Sequence, residues 1–512
     1  EYVIYELHVG TFSAEGTFDG VIPYLGYLHG LGVTAVEIMP IAQFPGGRNW
    51  GYDGVLPYAA QDTYGGPNRF RRLVDACHNA GLAVVLDVVY NHLGPEGNYL
   101  ADFGPYFTDK YRTPWGQALN FDGPDSDHVR NYFIQNALYW TMDCHVDALR
   151  LDAVHAILDH AAYRFIEELG ARVHEAAAQA GRSVYLIAES SDNDARLITS
   201  QEANGYGMDA QWADDFHHAV HTLITGERAG YYADYGRIEH LAEAYREGFV
   251  YTGQYAPYRR RRHGTRPAGV PGERFVICVQ NHDQVGNRLL GERLSVLVPF
   301  EAQKLAAASM LLAPFVPMLF MGEEYGETAP FQYFMSHTDA DLVEAVRKGR
   351  KEEFEDFGWA EEPPDPQSPA TFEACKLGHA LRQSGKHADL LAFYRDLLAL
   401  RRSIPALAHL DKQAQAVAVV TGTQLLAVHR WHGSSEAFAL FNYSGQSVEA
   451  HAPVPAGRWK RALDSAGGVT GTSGADLFPP PRGGELPVAL APYQAVLFVN
   501  DAHLSDSEAA EA

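Results

Sequence analysis

Cysteine is scarce and scattered: Cys77, Cys144, Cys278 and Cys375 lie singly along 512 residues. No CxxC pair occurs, so neither a zinc ribbon nor a disulfide framework is indicated. Reduced, buried thiols are expected, as in a cytoplasmic enzyme. Long apolar runs are also missing. None approaches the roughly 20 residues of a membrane span, and no signal-peptide pattern is read. Positive charge is in short supply, with 40 Lys and Arg against 64 Asp and Glu and a formal net charge of −24. Such a surface repels phosphate backbones and anionic membranes, so neither nucleic acid nor a membrane is an expected partner. No internal repeat is visible.

What the chain does have is alternation. Short apolar runs at 2–9, 35–40, 83–89, 146–153, 184–190, 208–212 (the weakest), 275–281 and 317–322 read as strands buried on both faces. Helical patterns lie between them. One starts with Pro67, places Phe70, Leu73, Val74 and Cys77 on one face and stops at Gly81. A second has Asp125 or Ser126 as cap and a stripe of Val129, Tyr132, Phe133 and Trp140. A third repeats Ala162, Ile166, Leu169 and Val173. Eight such units predict an α/β fold, either a (β/α)8 TIM barrel or a doubly wound sheet. The connections at about 90–125 and 213–270 are long, and long βα loops usually carry function. After about residue 405 the pattern becomes short strands separated by Gly, Ser and Pro. The predicted division is a catalytic barrel over 1–405, a small antiparallel β domain over 406–500 and a disordered acidic tail over 501–512.

Polar residues cluster where the strands end. Asp87, Asn91 and His92 follow the third, Arg150, Asp152 and His155 the fourth, and Glu189 the fifth. Asp214, Asp215, His217 and His218 follow the sixth, and Asn281, His282 and Asp283 the seventh. In a (β/α)8 barrel those ends form the active-site rim. Packing explains one such residue easily and five consecutive strands poorly. Three acids, Asp152, Glu189 and Asp283, therefore converge. Paired carboxylates suit glycoside hydrolysis, one protonating the leaving oxygen and the other attacking. A metal is the rival use, but Arg150 among the acids disfavours a cation. Arg150 can instead keep Asp152 ionised, while an apolar setting raises Glu189 so that it serves as the acid.

The segments "DVVYNH", "ALRLDAVHAI", "LIAES" and "VQNHDQVGNR", in this order, resemble the four conserved regions of the alpha-amylase family of glycoside hydrolases. The resemblance spans nearly the whole chain and implies a retaining mechanism on α-glucosidic bonds. It implies Asp152 as nucleophile, Glu189 as general acid/base and Asp283 as transition-state stabiliser. Arg150, His92 and His282 match supporting residues around the cleaved sugar, Asp87 joins them at the third strand, and Tyr52 in "WGYDG" matches an aromatic platform.

The segments "DDFHHAVH", "QNHDQVGNR" and "MGEEYGETAPFQYFMSHTDADLVEAVRKGRKEEF" resemble one branch of that family. Its members cleave the α-1,4 bond beside the terminal trehalose of maltooligosyltrehalose. This implies that His155, Asp215, Phe216, His217, His218, Gln284 and Asn287 line the substrate cleft. It also implies that Glu323, Glu324, Phe331, Tyr333 and Phe334 shape the rim holding the trehalose half. An enzyme that forms maltooligosyltrehalose is the implied functional partner. The rival within the family is a glycogen branching enzyme, expected to read "SHDE" where this chain reads "NHDQ". Neutral sugars require no metal, so no cofactor is predicted, although Asn91 matches one ligand of the amylase calcium site. The basic run Arg259–Arg262 is read as a solvated loop face paired with nearby acids. Members of this branch carry a β-sandwich ahead of the barrel. This sequence opens at Glu1 inside a strand-like run, so an upstream segment is expected.

Overall fold

The computed structural model describes residues 2–113, 116–355, 362–467, 477–478 and 484–500. The tail expected to be disordered, 501–512, lies outside them. Eight parallel strands close into a barrel: β1 (Ile4–Leu7), β2 (Ala35–Ile38), β3 (Ala83–Val88), β4 (Ala148–Leu151), β5 (Tyr185–Ala188), β6 (Ala210–Trp212), β7 (Phe275–Cys278) and β8 (Val316–Phe320). Their order around the ring is their order in the chain, and β8 pairs with β1 to close it. Closure excludes the doubly wound alternative. Each expected run contains one strand, the weak sixth included.

Strand periodicity builds two surfaces. Tyr5, Leu7, Val36, Ile38, Val84, Leu86, Leu149, Leu151 and Leu186 face outward and join the large core shared with the helices. The alternate residues Ile4, Ala35, Val85, Ala148, Ile187, Ala210 and Val276 form a separate apolar cluster inside the ring. Two residues further along, the same inward series becomes Glu6, Glu37, Asp87, Arg150 and Glu189. The barrel interior thus has an apolar floor and, toward the C-terminal ends of its strands, a charged layer.

Helix α1 (Gly66–Asn79) buries Phe70, Leu73, Val74 and Cys77 as expected, and Gly81 takes φ +78 to turn the chain into β3. Helix α2 (Ser126–Leu138) corrects the expected cap. Asp125 precedes it at φ +59 and makes no side-chain capping bond, because capping requires an extended backbone there. Helix α3 (Phe165–Gln179) buries Ile166, Leu169 and Val173, whereas Ala162 lies exposed ahead of it.

The long connections hold structure of their own. The first contains a hairpin of Phe107–Thr113 with Gly116–Leu119. The second contains α4 (Asp214–Thr225) and a helix over Ile238–Glu247. Beyond Ser403 come an antiparallel sheet that starts at Gln415–Val419 and a separate two-stranded ladder. Arg430 of this sheet, 2% exposed, reaches back to the carbonyls of Leu312 and His409. Asp147, the one charge near β4 without an expected role, ties β3 to β4 by accepting the Val84 N–H at 2.8 Å. All four cysteines are free and buried, and no described helix is long and apolar enough to cross a membrane.

Candidate active site

Arg150 is wholly buried at the top of β4 and organises the acids around it. Its Nη1 donates to Asp87 Oδ2 and to Asp152 Oδ1, both at 2.8 Å, and Nη2 lies 3.7 Å from Glu189 Oε2. The guanidinium stacks over the Trp212 ring at 4.3 Å. Asp152 follows β4 directly. Its second oxygen accepts from Asn91 Nδ2 at 2.7 Å, and the same amide group donates to the Asp152 carbonyl at 2.9 Å. Asn91 therefore serves Asp152 with the amide end that cannot bind a cation.

Glu189 ends β5 with Oε2 accepting the Ala153 N–H at 2.6 Å. Ala153 adopts φ +41, a left-handed backbone that residues with a Cβ rarely take. This kink after Asp152 aims an amide at the neighbouring acid. Burial raises the Glu189 carboxyl above its ordinary range; Arg150 opposes the shift and Asp152 adds to it. Asp283 stands just past β7 and is the most open of the three, its side chain 42% exposed, with Oδ1 accepting from Asn287 Nδ2 at 3.1 Å.

The sequence profile for the alpha amylase catalytic domain matches residues 7–115. A crystal structure of a protein described as an alpha amylase from Salmonella typhimurium superposes with TM-score 0.85 at 39% identity, covering 98% of this chain and 82% of that one. The malto-oligosyltrehalose trehalohydrolase of Arthrobacter ramosus is 54% identical over 408 residues, covering 79% of this chain and 70% of that protein. The malto-oligosyltrehalose trehalohydrolase of Saccharolobus solfataricus is 51% identical over 402 residues, covering 78% of this chain and 69% of its own. The chain belongs to the malto-oligosyltrehalose trehalohydrolase family.

The residues expected to support the three acids form a connected set. The Tyr52 hydroxyl donates to Asp87 Oδ2 at 2.6 Å and meets His282 Nε2 at 2.7 Å, with the two rings stacked. His92 has Nδ1 2.5 Å from Asn91 Oδ1 and Nε2 2.9 Å from the Tyr52 carbonyl oxygen, so Asn91 bridges it to Asp152. His155 is exposed in a groove with Ser190, Asp192 and Asp194, beside Asp152 and Glu189. Asn287 also accepts from Arg350 Nη1 at 3.1 Å, and Gln284 Oε1 accepts from the Tyr231 hydroxyl at 3.3 Å.

The "DDFHH" stretch is placed differently from the expectation. Asp215 is buried, and its oxygens accept from Asn193, Val250 N–H, Tyr251 N–H and the Tyr235 hydroxyl. It ties Asn193 to the Val250–Tyr251 segment. Phe216 packs in the core against Tyr245. His217 is bound to the Val279 carbonyl and the Tyr232 hydroxyl. It stacks on His221, one helical turn away. That His-x-x-x-His spacing resembles a metal pair, but no group of three or more His, Cys, Asp or Glu placed to hold a metal occurs among the described residues, and His221 Nε2 is bound to Glu227. His218 is buried among Tyr231, Tyr232 and Tyr235.

The member of the stretch beside the acids is Asp214. It continues the inward series Ala210 and Trp212, and burial, Glu189 and Asp283 together raise it to about 8. That phase was readable in the sequence, but the neighbouring Asp215 took its place. Glu6 and Glu37 were also passed over, though each is a lone acid inside an apolar strand.

The segment after β8 is corrected too. Glu323 and Glu324 are buried against Tyr394, Tyr5 and Tyr27, and Phe331 and Phe334 are core residues. Only Tyr333 of that set keeps partial exposure, because the Phe and Glu side chains turn under the barrel mouth. The Arg259–Arg262 run is largely exposed, and Arg261 pairs with Asp192 at 3.3 Å.

These buried acids give stability a pH signature. Burial raises Glu323 and Asp214 to about 8 and Glu324 to about 7. His282 is carried up to about 9, because Asp283 and Glu6 outweigh the opposing effect of burial. Between pH 6.5 and 8 these groups together bind more protons in the folded chain than in the unfolded one, Glu324 being the first of them to titrate. Their stabilisation fades as pH rises through that window. Buried histidines with depressed values, such as His8 at about 4 and His218 at about 3, act in the opposite sense only below about pH 6.5. Calorimetry should show Tm falling from pH 6.5 to 8. A flat or rising Tm would mean that these acids are ionised in the folded protein.

Proposed function

We propose that the protein hydrolyses the α-1,4-glucosidic bond beside the terminal trehalose of maltooligosyltrehalose, with retention of configuration. The products are trehalose and a shortened maltooligosaccharide. The observation that carries the chemistry is the single guanidinium of Arg150 joining Asp152 and Glu189. A group that small reaches two carboxylates only when they are close, as a retaining pair must be. Asp152 attacks the anomeric carbon while Glu189 protonates the departing glycosidic oxygen. Glu189 then takes a proton from water, which attacks the same carbon and frees Asp152. Asp283 stabilises the oxocarbenium-like transition state and grips sugar hydroxyls, a role its exposure supports.

The groove running from His155 to Asp194 lies on the Glu189 side, where the protonated leaving group departs. It suits the released trehalose better than the buried segment after β8. An enzyme that forms maltooligosyltrehalose acts upstream, in sequence with this one.

Product analysis on maltooligosyltrehalose and on plain maltooligosaccharide tests the reading. Free trehalose from the first, a new reducing end in the α configuration and slow action on the second are expected. New α-1,6 branches without trehalose would identify a branching enzyme instead.

A further inference from the structure

Beneath the three acids lies a second charged cluster that the proposed chemistry leaves unused. Glu6 on β1 and Glu37 on β2 are register partners, so both carboxyl groups enter the barrel interior side by side. Each residue is 1% exposed. Glu6 grips a residue 276 positions away: Oε1 lies 2.5 Å from His282 Nδ1, and Oε2 accepts the His282 backbone N–H at 3.0 Å. Neither oxygen of Glu37 has a hydrogen-bond partner among the described residues.

The bonds on the other side of the ring fix where its protons are. His282 Nε2 lies 2.7 Å from the Tyr52 hydroxyl, whose one hydrogen is given to Asp87 Oδ2 at 2.6 Å. With Asp87 ionised and taking that hydrogen, Nε2 carries a proton and donates to Tyr52, because an unprotonated nitrogen would set two lone pairs against each other. Nδ1 faces a carboxylate, which likewise requires a hydrogen between them. A carboxylate as deeply buried as Glu6 needs a cation, and the hydrogen bonds of Arg150 go to Asp87, Asp152 and Tyr52 instead.

We propose that Glu6 is a positioning residue of the active site: its carboxylate holds His282 as an imidazolium with one N–H directed into the barrel and the other at the edge shared by Tyr52 and Asp283, while Glu37 beside it stays protonated. The charges acting most strongly on His282 and Glu37 fit this distribution. Glu6 and Asp283 favour the charged ring and outweigh burial, while Arg150 opposes it. Burial pushes Glu37 well above its ordinary range; Glu6 and Asp87 add to the shift, and Arg150 and His282 subtract. His8, the other imidazole nearby, is neutral, since burial lowers it to about 4. The device puts a fixed positive charge 3.5 Å from Asp283 Oδ2, beside the reacting sugar.

Glu6→Gln removes the charge yet can still bond both His282 nitrogens, and Glu6→Asp keeps the charge at shorter reach. The kinetic arm rests on the trehalohydrolase reading. Glu6→Gln should lower kcat/KM on maltooligosyltrehalose roughly 10–100-fold, the range for weakening one charge-assisted contact. Its alkaline limb should move to lower pH, and Glu6→Asp should recover part of the loss. The second arm needs no activity. In 15N-histidine-labelled wild-type protein, the His282 signal, identified by its loss in His282→Gln, should show both ring nitrogens protonated at pH 7.5. In Glu6→Gln one nitrogen should be deprotonated. A neutral His282 in the wild type overturns the proposal whether or not the variants fold, as does an unchanged kcat/KM and pH profile in Glu6→Gln. A wild-type enzyme that releases no trehalose defeats the functional reading instead and leaves the NMR arm to decide Glu6.

Discussion

Asp152→Ala is expected to lower kcat on maltooligosyltrehalose by at least three orders of magnitude, because the variant has no group to form the covalent intermediate. The loss should lie in turnover rather than in folding. Arg150 keeps its 2.8 Å pair with Asp87, so no buried cation is orphaned. Asn91 keeps its 2.9 Å bond to the backbone carbonyl of residue 152. Tm and far-UV circular dichroism should stay close to wild type while steady-state trehalose release falls. A variant that turns over like wild type would remove Asp152 from the mechanism.

Glu189→Gln comes second in size. The Gln oxygen can still accept the Ala153 N–H, so the local turn is preserved, but the side chain can neither give nor take a proton. A general acid/base is worth about 10²–10⁴-fold, and that loss is expected on the natural glucan. A substrate with a good leaving group, such as an α-glycosyl fluoride, needs no protonation and should lose much less in the glycosylation step. The pH profile supplies the second readout. Wild-type rate should fall on the alkaline side as Glu189, raised by burial, gives up its proton. The variant should lose the alkaline limb. An unchanged limb would assign that titration to another group, and Asp214, raised to about 8, would be the first to examine.

Much of this site was legible before any coordinates. The apolar runs marked all eight strands, and polar residues where they end marked the rim, because a strand buried on both faces has no use for a charge except at its mouth. Asp152, Glu189 and Arg150 followed from that alone, and their convergence followed from barrel closure. The residues whose side chains turn away from the acids have a common reason. Asp215, Phe216, His217 and His218 sit at the start of α4, where successive residues turn by about 100°, so a stretch read as one motif points in several directions. Glu323, Glu324, Phe331 and Phe334 looked like rim residues because they follow β8, yet Tyr5, Tyr27 and Tyr394 stood ready to bury the acids among them.

The sequence by itself determined the strand count and which polar residues follow each strand, since apolar runs and residue type are local properties. Tertiary structure alone decided which buried groups meet. Glu6 and His282 lie 276 residues apart, and no spacing links them. They touch because closing the ring sets β1 against β8 and brings the end of β7 within reach, and low dielectric then makes that one proton-sharing contact costly to leave unmade.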